Sequence, residues 1–134
     1  MEKYFPSLAE LGAISEAIIY TDAGSSITRL RAFAEEVTRS IYSLEKLSRD
    51  PKAAFSEILF ASNFQSIITR SLFLKIDYLR RQGNLTAHGS LGEIETAFKC
   101  LEAAYDIGKY LVVHYYQVDT VAIPNFTEFK NRSL

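Results

Sequence analysis

The sequence has 134 residues, enough to bury one hydrophobic core but short for two domains. Hydrophobic residues make up 48% and charged residues 23%, which excludes an intrinsically disordered chain. Because 15 Lys and Arg nearly balance 16 Asp and Glu, the net charge is -1. No domain-wide basic field attracts nucleic acid, so any such contact has to be a local patch.

The chain contains no signal for export or membrane insertion. Its first twelve residues include acidic side chains and no long apolar stretch, and no later window approaches the length of a membrane span. The single cysteine, Cys100, lies in a strongly periodic segment, where it is expected to be a small buried hydrophobe. We expect a cytoplasmic protein without a membrane partner.

Apolar residues at spacings of three and four predict two helices in the first third of the chain. The first covers Ser7 to about Thr21, and the second begins in the turn-forming segment 22–26. Glu35 and Arg39 form an i,i+4 pair on a flank of the second helix that should face water. The apolar stripe of this helix comprises Ile27, Leu30, Phe33, Ala34, Val37, Ile41 and Leu44.

A break at 48–51 separates these helices from the next two. Asp50 is predicted to be the N-cap and Pro51 the first residue of a short helix, followed by a kink or loop around 62–63. The following helix is expected to end near Arg81 and Gln82, with Gly83 as its left-handed C-cap. Their predicted core residues are Phe55, Ile58, Leu59, Ile68, Leu72, Ile76 and Leu79.

The last predicted helix opens at Ser90 and Glu93, which match a capping box, and runs to about Gln117. Its wide apolar face predicts the central helix of a bundle. His114 has no second metal-ligand residue at suitable spacing and is expected to be partly buried. The predicted fold is all-α, with about five helices in a domain spanning 1–117, followed by an extended tail or linker at 118–134. The apolar face contains Ile94, Ala97, Phe98, Leu101, Ala104, Tyr105, Gly108, Leu111, Val112 and Tyr115.

The segment 80–89 is the densest cluster of functional side chains. Arg81, Asn84 and His88 supply a cation, an amide and an imidazole, the groups that a metal-independent phosphodiester site needs. His88 would act as general base or acid, Arg81 would stabilise transition-state charge, and Asn84 would orient the phosphate. Alternatively, Gly83 caps a helix, Asn84 holds a tight turn and His88 caps or packs beside the next helix.

Several enzyme classes have motifs that the sequence lacks. There is no GxxxxGK[ST], GxGxxG, GxSxG or CxxC motif, so the chain alone is not an ATPase. The tripeptide at 128–130 spells the ExK fragment of a restriction-type nuclease, but it lies in the tail without a strand pattern. No cofactor or metal site is expected in this domain.

Two motifs carry a resemblance to a known family. The segment Thr28–Glu35, TRLRAFAE, contains an L-R-x-F-x-E core, and Tyr78–His88, YLRRQGNLTAH, contains L-R-x-x-G-N-x-x-x-H. Together with a long final helix that ends in VHYY, they resemble the N-terminal helical domain of type I restriction enzyme R subunits. The similarity spans roughly Phe5 to Gln117.

The resemblance implies a HEPN-like helical domain that precedes a nuclease domain and an ATP- and Mg²⁺-dependent DNA translocase in a defence protein. It implies DNA, RNA or other restriction-modification subunits as partners, and a possible homodimer. Arg31, Glu35 and Arg80 would bind or brace the segment Arg81–His88. Some HEPN domains are dimeric, metal-independent ribonucleases with an R-x4-6-H motif, so the alternative function is a ribonuclease that uses Arg81, Asn84 and His88.

Overall fold

The computed structural model describes Ile19 and residues 22–87 and 94–116, which contain helices and the turns between them and no strand. This confirms the predicted all-α class. Apart from Ile19, the predicted first helix lies outside the described residues, as do the Ser90–Glu93 capping box and the 118–134 segment. The helices are α1 (Ala23–Leu44), α2 (Phe55–Phe60), α3 (Ser62–Gln65), α4 (Arg70–Ala87) and α5 (Ile94–Tyr116).

Helix α1 begins and ends with well-formed caps. The Asp22 carboxylate accepts hydrogen bonds from the Ser25 backbone N–H (3.0 Å) and hydroxyl (2.7 Å), satisfying a free donor of the first turn. At the other end Lys46 adopts a left-handed φ of 53°, and the Leu47 N–H donates to the carbonyl of Tyr42. The predicted stripe of α1 is buried except for Leu44, which is 46% exposed.

The segment between α1 and α4 folds differently from the prediction. Asp50 and Pro51 form a turn in which Asp50 accepts from the Lys52 and Ala53 N–H groups, so the predicted helix start at this point is wrong. Helix α2 begins at Phe55 instead, and the Glu57 carboxylate accepts from the Ala54 N–H. The expected kink at 62–63 contains the single-turn helix α3.

The aromatic residue Tyr42 fastens α2 and α3 to α1. Its ring stacks on Phe64 with centroids 5.2 Å apart, and its hydroxyl donates to the Ile58 carbonyl at 2.6 Å. Because the buried phenol keeps a hydrogen-bond partner, its ring adds packing area without leaving a polar group unsatisfied. The predicted core residues Phe55, Ile58 and Leu59 are all buried here.

The three long helices pack pairwise around one core. Among the described helices α1 and α4 pack most extensively on each other, and each also contacts α2 and α5, whereas α5 packs mainly on α1 and α4. The centre of this part of the bundle is therefore the α1–α4 pair and not the predicted α5. None of the helices in the described ranges is long and apolar enough to cross a membrane. The fully buried side chains of the three helices include Ile27, Leu30, Val37, Ile41, Ile76, Leu79, Ile107 and Leu111.

Helix α4 continues to Ala87, so the predicted end near Arg81 and Gln82 and the Gly83 C-cap are both wrong. Gly83 is an interior residue of the helix and lies against α1. A Cβ built on Gly83 would meet the Cβ of Arg31 and lie 2.5 Å from its Cδ and 2.8 Å from its Cγ. Glycine is therefore required by the close approach of two helices, and not by a left-handed backbone.

Cys100 is fully buried, as predicted, and burial raises the pKa of its thiol to about 12. A side-chain hydrogen bond with Tyr78 offsets part of this rise in the thiol pKa. His114 is exposed, so its predicted partial burial is wrong. Its ring stacks on Tyr110, one helical turn earlier, at a centroid distance of 5.1 Å. It also meets the ring of the next residue, Tyr115, edge-on at 4.7 Å.

Replacing Gly83 with alanine should destabilise the fold, although alanine is the better helix former by about 1 kcal/mol. The added methyl group has to displace the Arg31 stem, at a cost of about 1–3 kcal/mol. Denaturant unfolding measures the effect. In an Arg31→Gly background the same substitution should become neutral or stabilising, and an equal effect in both backgrounds would contradict the close approach.

The Asp22 cap should make stability depend on pH. Hydrogen bonds from the Ser25 backbone and hydroxyl hold the pKa of Asp22 below its ordinary value of 3.8. Its stabilising contribution is therefore present above pH 3.8 and lost as the pH falls through the lower pKa of the folded state. Asp22→Asn, which keeps a capping oxygen without charge, should lower Tm at neutral pH and match the wild type in strong acid. In a Ser25→Ala background the Tm difference caused by Asp22→Asn should be smaller. A Tm difference that does not vary with pH would contradict the prediction.

Candidate functional site

The crossing of α1 and α4 brings together residues from both motifs that the sequence singled out. The Arg31 Nε of α1 donates to the Asn84 Oδ1 of α4 at 2.8 Å, in a half-buried position. Gly83, the neighbour of Asn84, lets the two backbones approach closely enough for this bond. A hydrogen bond from a charged donor contributes more than a neutral one, about 1.5–3 kcal/mol before solvent screening.

Two further contacts hold the Arg31 guanidinium in place. Its Nη1 lies 3.5 Å from Glu35 Oε1, and its Cζ lies 5.4 Å from the centroid of the Phe55 ring in α2. Glu35 also accepts from Arg39 Nη2 at 2.7 Å, and these side chains are roughly one-quarter exposed. The predicted Glu35–Arg39 pair on a water-facing flank is confirmed. Arg31 therefore joins α1, α2 and α4 at a single junction.

Arg80 and Arg81 of α4 are organised by Asp77 of the same helix. Arg80 Nη2 lies 2.8 Å from Asp77 Oδ1, and Arg81 Nε lies 3.1 Å from Asp77 Oδ2. Arg80 is 16% exposed and its Cζ lies 5.3 Å from the Phe60 ring centroid, whereas Arg81 is 57% exposed. Arg80 is thus a packed residue, and Arg81 is a surface cation that is partly neutralised by the Asp77 carboxylate.

The proposed catalytic residues are not assembled into one cluster within the described residues. Arg81 and Asn84 lie one turn apart on α4, but Arg81 faces Asp77 and Asn84 faces Arg31. His88 lies outside the described residues. Since α4 extends to Ala87, the segment that was predicted to be a loop is helical over all of its described length. The geometry shows ion pairs and a helix junction.

Sequence reasoning missed Asp77 and the aromatic partners of the arginines. Asp77 precedes Arg80 and Arg81 by three and four residues, the spacing at which helical side chains meet, so this signal was available once the helix was extended. The contacts with Phe55 and Phe60 had no such signal, because they depend on how the short helices α2 and α3 fold back.

No group of three or more His, Cys, Asp or Glu side chains within 22–87 and 94–116 is arranged to hold a metal ion. Comparisons with protein-family models, with curated proteins and with solved structures found no match.

A double-mutant cycle should show that Arg31 and Asn84 are coupled. Arg31→Met keeps the apolar stem on Gly83 and removes the guanidinium, while Asn84→Ala removes the acceptor. Each change should lower the free energy of unfolding by about 1–2 kcal/mol because a partner group loses its hydrogen bond. The double variant should cost less than the sum, by about 1 kcal/mol. Arg29→Met, on an exposed position of α1, is the matched control, and strict additivity would contradict the junction.

Proposed function

We propose that this chain is a non-cleaving, HEPN-like accessory domain of a type I restriction enzyme R subunit, which serves as an interaction module for nucleic acid or another subunit. The resemblance of the 28–35 and 78–88 segments supports the family. The observation that carries the non-catalytic role is the hydrogen bond from Arg31 to Asn84, which commits the amide oxygen of the motif to holding α1 against α4.

The electrostatics of α4 support the same proposal. A phosphodiester transition state gains negative charge, and a catalytic arginine must direct its uncompensated positive charge at that site. Arg81 shares Asp77 with Arg80, so a carboxylate offsets part of the charge that the reaction would use. Asn84 is half-buried between helices, where its oxygen is directed to Arg31 rather than to an incoming substrate.

The test is metal-free cleavage of a labelled single-stranded RNA by the purified chain in EDTA, at high protein concentration. We expect no cleavage above that of a buffer blank, because Arg81 and Asn84 are engaged within the fold. The Arg81→Ala and His88→Ala variants, each shown to be folded by circular dichroism, should be indistinguishable from the wild type.

Arg29→Ala is the matched control, since it removes an exposed arginine of α1 from outside the motif. Cleavage by the wild type and Arg29→Ala that disappears in both Arg81→Ala and His88→Ala would replace the accessory role with the ribonuclease function. Cleavage that survives in all variants would point to a contaminating nuclease and would leave the motif without a catalytic role.

A further inference from the structure

A groove of about 490 Å³ runs over the surface where α4 and α5 meet. Lys75 of α4 pairs with Asp106 of α5, and Tyr78, one turn later in α4, interacts with Cys100, which comes earlier in α5. The two helices are therefore antiparallel. The lining is mainly apolar, with Leu74 and Tyr78 on one side and the small residue Ala103 on the other. An apolar groove along a helix pair is the kind of surface on which the apolar face of an amphipathic helix docks.

Apolar side chains in the groove, and farther along the same face of α4, are in contact with water. Leu74 is 47% exposed and Leu85 is 54% exposed, and both lie on the outward face of α4. They are separated by three helical turns, about 16 Å, with Tyr78 between them on the same face. Tyr78 lines the groove and is partly buried there. Anchors at this spacing match the apolar stripe of an amphipathic partner helix.

The charges at the groove select the kind of partner. Arg70 and Lys75 belong to its lining, and no acidic side chain does. Lys75 also lies 3.7 Å from Asp106, but both side chains are more than one-third exposed, and an ion pair in water is weak enough to exchange partners. Nucleic-acid binding gains its affinity from many cations that replace counterions, and two lining cations are too few for it. Apolar anchors beside a modest positive edge fit an acidic amphipathic peptide.

We propose that the groove between α4 and α5 binds an amphipathic α-helix from another protein, with Asp or Glu residues bordering its apolar stripe. The inference rests on the proposed role of the domain as an interaction module and specifies its partner class. The leucines of the incoming helix cover Leu74, Tyr78 and Ala103, while its carboxylates lie against Arg70 and Lys75.

The probe is a designed helical peptide that carries leucines on one face and glutamates along both borders. Binding to the full chain is measured by NMR, with chemical-shift changes expected at Leu74, Tyr78 and Ala103. A peptide with lysine in place of every glutamate tests the charge, and a labelled single-stranded oligonucleotide tests nucleic acid. Leu74→Ser should weaken peptide binding by about tenfold or more, since an apolar anchor is lost.

Leu44→Ser is the matched control, because Leu44 in α1 is 46% exposed, like Leu74, but lies outside the groove. It should bind the acidic peptide as the wild type does. The inference is overturned if neither peptide shifts the groove residues, if the lysine peptide binds equally well, or if the oligonucleotide shifts the same residues at lower concentration. RNA cleavage, measured separately, decides the accessory role, so the two proposals fail independently.

Discussion

The bundle depends on the absence of a side chain at Gly83, which allows α1 and α4 to approach along the stem of Arg31. Interior glycine weakens a helix by about 1 kcal/mol relative to alanine, so α4 accepts a local cost for a tertiary contact. That contact brings Asn84 within hydrogen-bond distance of Arg31, whose guanidinium also reaches Glu35 and the Phe55 ring. One small residue thereby determines where three helices meet.

The polar residues at this junction illustrate why a sequence motif does not identify a catalytic site. Arginine and asparagine suit phosphate chemistry, but together with a nearby carboxylate they also suit the crossing of two helices, because a half-buried guanidinium needs charge-assisted acceptors. Within the described residues, every arginine of the motif has a carboxylate or amide partner in the same fold. These partners engage the polar groups of the motif within the fold, whereas the groove between α4 and α5 is lined mainly by apolar side chains.

Hydrophobic periodicity was sufficient to predict the three long helices and most of their buried residues, because burial of one face is the main determinant of a helix. The helix ends were harder to predict. Gly83 carried the sequence signature of a C-cap, although its role is tertiary, and Lys46 ends α1 in a left-handed conformation without any glycine to indicate it. In the candidate site, the residues of the junction were anticipated, but the Asp77 pairs and the aromatic contacts required the fold.

The burial of Cys100 has a consequence for the motions of the bundle. Burial leaves no exposed surface on Cys100 and raises the pKa of its thiol to about 12, so an electrophile meets a thiolate there only after the packing around it opens. Chemical modification is then gated by a conformational opening, and its rate under rapid reclosing is proportional to the small population of open molecules. The modification rate of the single thiol therefore reports how often the packing around Cys100 opens, without any optical signal from unfolding.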